Sequence, residues 1–127
     1  MEIEPGTLLV EAMLLGTPPS TNNLWHISRN RTGLHKNPEA KRWEGDAIWL
    51  LRKGKKFEGS AYEGDVSCRM IVHAKNRRRA DIDNMAKIAL DACVDADIIK
   101  DDSQIQRLVI ERVFDGQNQT EISLWAF

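Results

Sequence analysis

Apolar residues recur along this chain in six periodic stretches, and the period alternates between that of a strand and that of a helix. Thr7 to Leu15 alternates loosely through Val10, Met13 and several leucines, which predicts a strand stopped by Gly16 and Pro18-Pro19. PPSTNN then reads as an exposed loop. From Leu24 to Asn37, Trp25, His26, Arg29, Arg31, His35 and Lys36 are mixed with turn residues and follow neither period, so a long, basic, partly aromatic loop is expected. Pro38 opens a helix at its first turn, with Glu39 placed to suit the positive end of the helix dipole. Trp43, Ala47, Leu50 and Leu51 share one face, and the helix is expected to stop near Gly54.

From Asp65 to Ala74 the chain alternates cleanly, with Val66, Cys68, Met70 and Val72 on one face and Ser67, Arg69, Ile71 and His73 on the other. Met85, Ile88, Ala89, Ala92 and Ala96 then return to helical spacing. Ile105 to Phe114 and Thr120 to Phe127 give two further strands, and Asp115-Gly116-Gln117-Asn118 between them predicts a closing hairpin. The expected fold class is α+β, a small mixed sheet of about four strands packed against two main helices.

A chain of 127 residues with 42% apolar content fits one domain, 1–127, around a single core. Its 18 basic and 19 acidic residues nearly cancel, so any attraction to nucleic acid must come from local clustering. Cys68 and Cys93 form no Cys-x-x-Cys pair and have no nearby histidine, which argues against zinc and for two small buried hydrophobes. Acids stand where a secretory signal would carry basic residues, and no run approaches a membrane span. The cytoplasm is the expected compartment.

One stretch holds the chemistry: Arg77 to Gln104, RRRADIDNMAKIALDACVDADIIKDDSQ. Asp83 or Asn84 alone would be an ordinary helix cap. With Asp81 two residues earlier and Asp101-Asp102 after the helix, three or four carboxylates are expected to gather. Unit charges 4 Å apart repel by about 4 kcal/mol at an effective dielectric of 20, and a divalent cation would offset this. Oxygen ligands without histidine or cysteine favour Mg²⁺ or Mn²⁺, and such ions serve phosphodiester hydrolysis by activating water.

Lys87, four residues after Asp83, either makes a surface ion pair with Asp83 or Asp91 or contacts the scissile phosphate or the attacking water. Asp91 and Asp95 on the same face are assigned to solvating the helix. Lys75, Arg77, Arg78 and Arg79 supply a cationic approach suited to DNA phosphates, which Arg29, Arg31, Lys36, Lys53, Lys55 and Lys56 would extend. No Gly-rich cradle supports a nucleotide hydrolase, and the loop between the acids lacks the alternating spacing of a calcium site. A non-catalytic DNA-binding module gains nothing from carboxylates beside phosphate.

RRRADIDNMAKIALDA followed by IIKDDSQI resembles the RusA-type Holliday-junction resolvases, small crossover-junction endodeoxyribonucleases, with PPSTNN a weaker match to the same family. The resemblance implies catalytic residues Asp81, Asp83, Lys87 and Asp102, with Asp101 competing for the place of Asp102. It further implies a Mg²⁺-dependent homodimer that binds four-way junction DNA and makes paired symmetric nicks. The alternatives are a metal-dependent nuclease for other branched or flap DNA and an inactive DNA-binding module of the same fold. Asp97 stands where many relatives have glycine, and a left-handed helix exit is expected to survive that exchange.

Overall fold

A computed structural model describes residues 2–19, 25–27, 34–36, 38–77 and 82–127, with 25–27 and 34–36 described by their main chain alone. Asp81, Arg78, Arg79, Arg29 and Arg31 lie outside the described residues, as does most of the PPSTNN tract.

Strand β1 is Leu8–Leu15, β2 Trp25–Ile27, β3 Leu34–Lys36, helix α1 Pro38–Gly54, β4 Val66–His73, α2 Ile82–Asp95, β5 Ile105–Val113 and β6 Gln119–Ala126. A 3-10 turn at Asp102–Gln104 leads into β5. Four strands form a mixed sheet in the order β1-β6-β4-β5, in which β4 pairs antiparallel with β6 and parallel with β5. The architecture is thus the α+β sheet with two helices that the periodicity predicts.

Binary pattern decides which face is covered. Val66, Cys68, Met70 and Val72 of β4 and Thr120, Ile122, Leu124 and Ala126 of β6 are buried, while the alternate residues are exposed or half-buried. The loose alternation of β1 has a cause in the chain: its register against β6 shifts between Leu8 and Val10, so neighbouring Leu9 and Val10 are both buried. Both helices cover the same face. α1 presents Ala40, Trp43, Ala47 and Leu51, and α2 presents Met85, Ile88, Ala89, Ala92 and Cys93, all within one core. Both cysteines are free and buried, and burial pushes the Cys68 thiol up to about 12.

Two expectations require correction. The hairpin between β5 and β6 does not form, because β4 lies between them. The connection crosses the end of β4, where the Gly116 N–H donates to the Ala74 carbonyl at 3.0 Å and the Ala74 N–H to the Val113 carbonyl at 2.8 Å. Two strand spacings are only ~10 Å, which five residues span easily, so the turn chemistry does not distinguish adjacent strands from a pair split by a third. The stretch from Leu24 to Asn37 is also not wholly loop, since β2 and β3 pair antiparallel in a small separate sheet. Strands of three residues are too short to show a period.

Gly54 marks a close approach. A side chain there would place its Cβ 2.3 Å from the Glu11 carbonyl oxygen, so the end of α1 rests directly on the backbone of β1. No described helix is long and apolar enough to cross a membrane.

Candidate active site

Helix α2 carries the chemistry of the acidic stretch on the face opposite its buried stripe. Asp83, Lys87 and Asp91 are spaced four apart along it, and all three are exposed. Among the described residues no ion pair engages Lys87, whose charge instead acts on the Asp91 carboxyl. Partial burial holds the Asp91 carboxyl above the ordinary carboxylate range, and the neighbouring charge of Asp102 raises it further. Lys87 opposes that shift, while Asp95 and Glu44 add to it. Asp91 is exposed, as a residue solvating the helix would be, and two of the charges that act on it, Asp102 and Glu44, come from other elements.

The return from α2 is fixed by a chain of local bonds. Asp97 has φ 62°, the left-handed conformation expected at this exit. The Asp97 N–H donates to the Val94 carbonyl and the Ile98 N–H to the Cys93 carbonyl, each at 3.0 Å. Ile98 and Ile99 are then fully buried, and Ile99 bridges to Tyr62. These contacts tie the chain down at the C-terminal end of the helix before it reaches Asp101.

Asp101 and Asp102 do different work. Asp101 caps the 3-10 turn: its carboxylate accepts the Ser103 N–H at 3.0 Å, and the Ser103 side chain, followed by that backbone bond, holds the carboxyl below its usual range. The Gln104 side chain reaches back, its Oε1 accepting the Lys100 N–H at 2.7 Å and the Asp101 N–H at 2.9 Å. Its Nε2 donates to the Tyr62 and Gly64 carbonyls at 2.7 and 2.8 Å. Asp102 is left exposed, and its charge acts on Asp91 of α2.

Parallel pairing of β4 and β5 makes α2 a crossover, so the helix runs back from the end of β4 to the start of β5. Asp83 and Asp102 consequently flank opposite ends of it. Asp91, which senses Asp102, stands eight residues beyond Asp83, about 12 Å along the axis. The charge of Asp102 thus acts on Asp91, in the C-terminal half of α2, away from Asp83 at its start. Among the described residues, no three histidine, cysteine or carboxylate groups are placed together to hold a metal ion.

The basic approach is divided as well. Lys75 and Arg77 are exposed beyond β4, and the Arg77 guanidinium stacks 4.5 Å from the Phe114 ring. Arg52 donates to the Asp95 carbonyl, Lys53 lies over Trp49, and Lys55 donates to the Gly59 carbonyl. Arg52 thereby stands at the C-terminal end of α2, roughly 18 Å along the helix from Asp83, while Lys53 and Lys55 lie at the end of α1.

Residues 16–125 match the family model described as Endodeoxyribonuclease RusA. Over 93 residues the chain is 33% identical to the crossover junction endodeoxyribonuclease RusA of Aquifex aeolicus, covering 72% of each. The protein of the same name from Escherichia coli strain K12 is 31% identical over 74% of this chain and 75% of its own length. That of Enterobacteria phage 82 is 34% identical over 69% of this chain and 70% of its own. With its helix-borne acids and its Asp-Asp-Ser-Gln turn both inside the matched region, this chain belongs to the RusA endodeoxyribonuclease family.

Proposed function

We propose that this protein is an endodeoxyribonuclease that resolves four-way DNA junctions, acting as a homodimer that makes paired symmetric nicks. The observation that carries the proposal is the match to relatives named crossover junction endodeoxyribonucleases, within a region that includes Asp83, Lys87 and Asp102.

Asp81, Asp83 and Asp102 are the proposed carboxylate ligands of Mg²⁺, with Mn²⁺ as a substitute. Their oxygen donors suit a hard divalent ion, and the buried thiols are too strongly protonated to compete. When bound, the ion supplies an activated water and offsets phosphate charge. The described residues do not complete a three-ligand cage, so Asp83 and Asp102 are proposed as parts of a site that needs more than these elements. Asp101 is not proposed as a ligand, since its carboxylate is committed to the cap. Lys87, unpaired among the described residues, donates to the scissile phosphate or orients the attacking water. Lys75, Arg77, Arg78 and Arg79, with Arg29 and Arg31, hold flanking phosphates. Two opposed strands are cut most simply by two symmetry-related copies.

The test is incubation of the purified protein with labelled four-way junction, linear duplex and flap DNA, with Mg²⁺ or with chelator. Paired nicking of the junction alone, lost in chelator, is expected. Equal cleavage of linear duplex would overturn the junction specificity, and preference for the flap would favour a nuclease of other branched DNA.

A further inference from the structure

Strand β5 is an edge strand whose central residues are uncovered on both faces. Leu108 is 42% and Val109 46% exposed, although they sit in the middle of a nine-residue strand. Among the described residues its one strand neighbour is β4, so no second strand pairs with its outer edge, beside these apolar side chains. Such an edge is a template for another strand unless something blunts it.

The sequence of β5, Ile-Gln-Arg-Leu-Val-Ile-Glu-Arg-Val, is self-complementary about its centre. An antiparallel copy related by a two-fold axis at Val109 places Val109 opposite the partner's Val109 and Leu108 opposite the partner's Ile110. The same register sets Arg107 opposite the partner's Glu111, twice by symmetry, and Ile105 opposite the partner's Val113. Moving the axis by one residue in either direction sets Arg107 against valine, which removes both charge pairs. Only the Val109 register satisfies both the apolar centre and the charges.

We propose that β5 is the dimer surface, pairing antiparallel with β5 of a second copy about Val109 so that the two sheets become one continuous sheet of eight strands. The proposal rests on the two-copy reading above and adds to it a surface and a register. Arg107, Val109 and Glu111 lie on the helix-free face, in register with Ser67, Arg69 and Ile71, so the charge pairs form there. Leu108 and Ile110 lie on the helix side, in register with buried Cys68 and Met70, and Leu108 is exposed there. Opposed strands also bring the Asp102 end of one protomer beside the end of the partner from which its α2 starts.

Sedimentation of the full chain without DNA tests this independently of any cleavage. The wild type is expected to dimerise. Arg107→Glu and Glu111→Arg should each weaken the dimer about tenfold by setting like charges opposite one another, and the double exchange should restore it. Val109→Cys, a small change at an exposed position, should form a disulfide-linked dimer under mild oxidation, because both native cysteines are buried; Glu111→Cys should not. A monomeric wild type would overturn the proposal and leave the edge to another kind of chain. So would a dimer indifferent to both reversals, a double exchange that fails to restore association, or a Val109→Cys protein that folds by circular dichroism yet does not cross-link.

Discussion

Gln104 and Asp101 cap one another: Gln104 Oε1 accepts the Asp101 N–H at 2.9 Å, while the Asp101 carboxylate caps the turn that contains Gln104. The other end of the same amide joins the Tyr62 and Gly64 carbonyls, so one side chain fixes the acidic turn to the segment before β4. Gln104→Ala leaves four backbone groups without that partner and should cost about 2–3 kcal/mol in urea denaturation. Cleavage should fall too, through loss of the position of Asp102.

The two adjacent aspartates should separate by phenotype. Asp101→Asn preserves a good cap and is expected to leave both stability and cleavage near wild type. Asp102→Asn should leave the melting temperature within about 2 °C and lower junction cleavage by more than about a hundredfold, while junction binding persists. Asp81→Asn and Asp83→Asn should behave like Asp102→Asn. Should Asp101→Asn prove the inactive one, the ligand assignment would be reversed.

Lys87→Ala discriminates catalysis from ion pairing. An exposed helical pair contributes a few tenths of a kcal/mol, so stability should barely change. Turnover should drop roughly 10- to 100-fold at unchanged junction affinity. The Asp91 carboxyl should also titrate higher in the variant, because Lys87 opposes its upward shift, and NMR titration of that side chain can follow it.

Elements bounded by clean alternation were legible in the sequence because burial on one face imposes the pattern. β4 and β6 begin and end within a residue of the expected limits, and α1 runs from Pro38 to Gly54 as expected. Pairing was not legible. The apolar alternation of β5 resembles that of any half-buried strand, and only the packing reveals that it lies at an edge next to β4. The acidic residues were found by type and spacing, but their grouping depends on the crossover: α2 carries Asp83 away from Asp102, and the bonds at Asp97 and Ile98 keep Asp102 at the far end. Gln104 was invisible as a clamp because Tyr62 and Gly64 lie 42 and 40 residues before it.

Two substitutions probe the backbone away from the proposed chemistry. Asp97→Gly relieves a side chain held at φ 62° and should stabilise the protein by up to about 1 kcal/mol in denaturant titration. Gly54→Ala drives a Cβ into the Glu11 carbonyl and should destabilise by about 1–3 kcal/mol, with specific activity of the folded fraction retained.

His73 gives stability a pH signature. Its Nε2 lies 2.9 Å from a Glu121 carboxylate oxygen and its Nδ1 2.6 Å from one of Asp115, and these bonds raise its pKa above the usual 6.5. The folded state therefore holds the imidazole proton more tightly than the unfolded chain. The resulting stabilisation is fully present below pH 6.5 and is lost as pH rises through the raised folded value. Asp115, held below its usual 3.8 by the same imidazole, contributes in the opposite sense, with stabilisation present above that value and lost as pH falls through the lowered one. Melting temperature should accordingly form a plateau between about pH 4 and 6.5 and decline on the alkaline side. His73→Gln should flatten the alkaline decline, and high salt should shrink it in the wild type because the carboxylates are partly exposed. An alkaline decline that survives His73→Gln unchanged would assign the effect to another group.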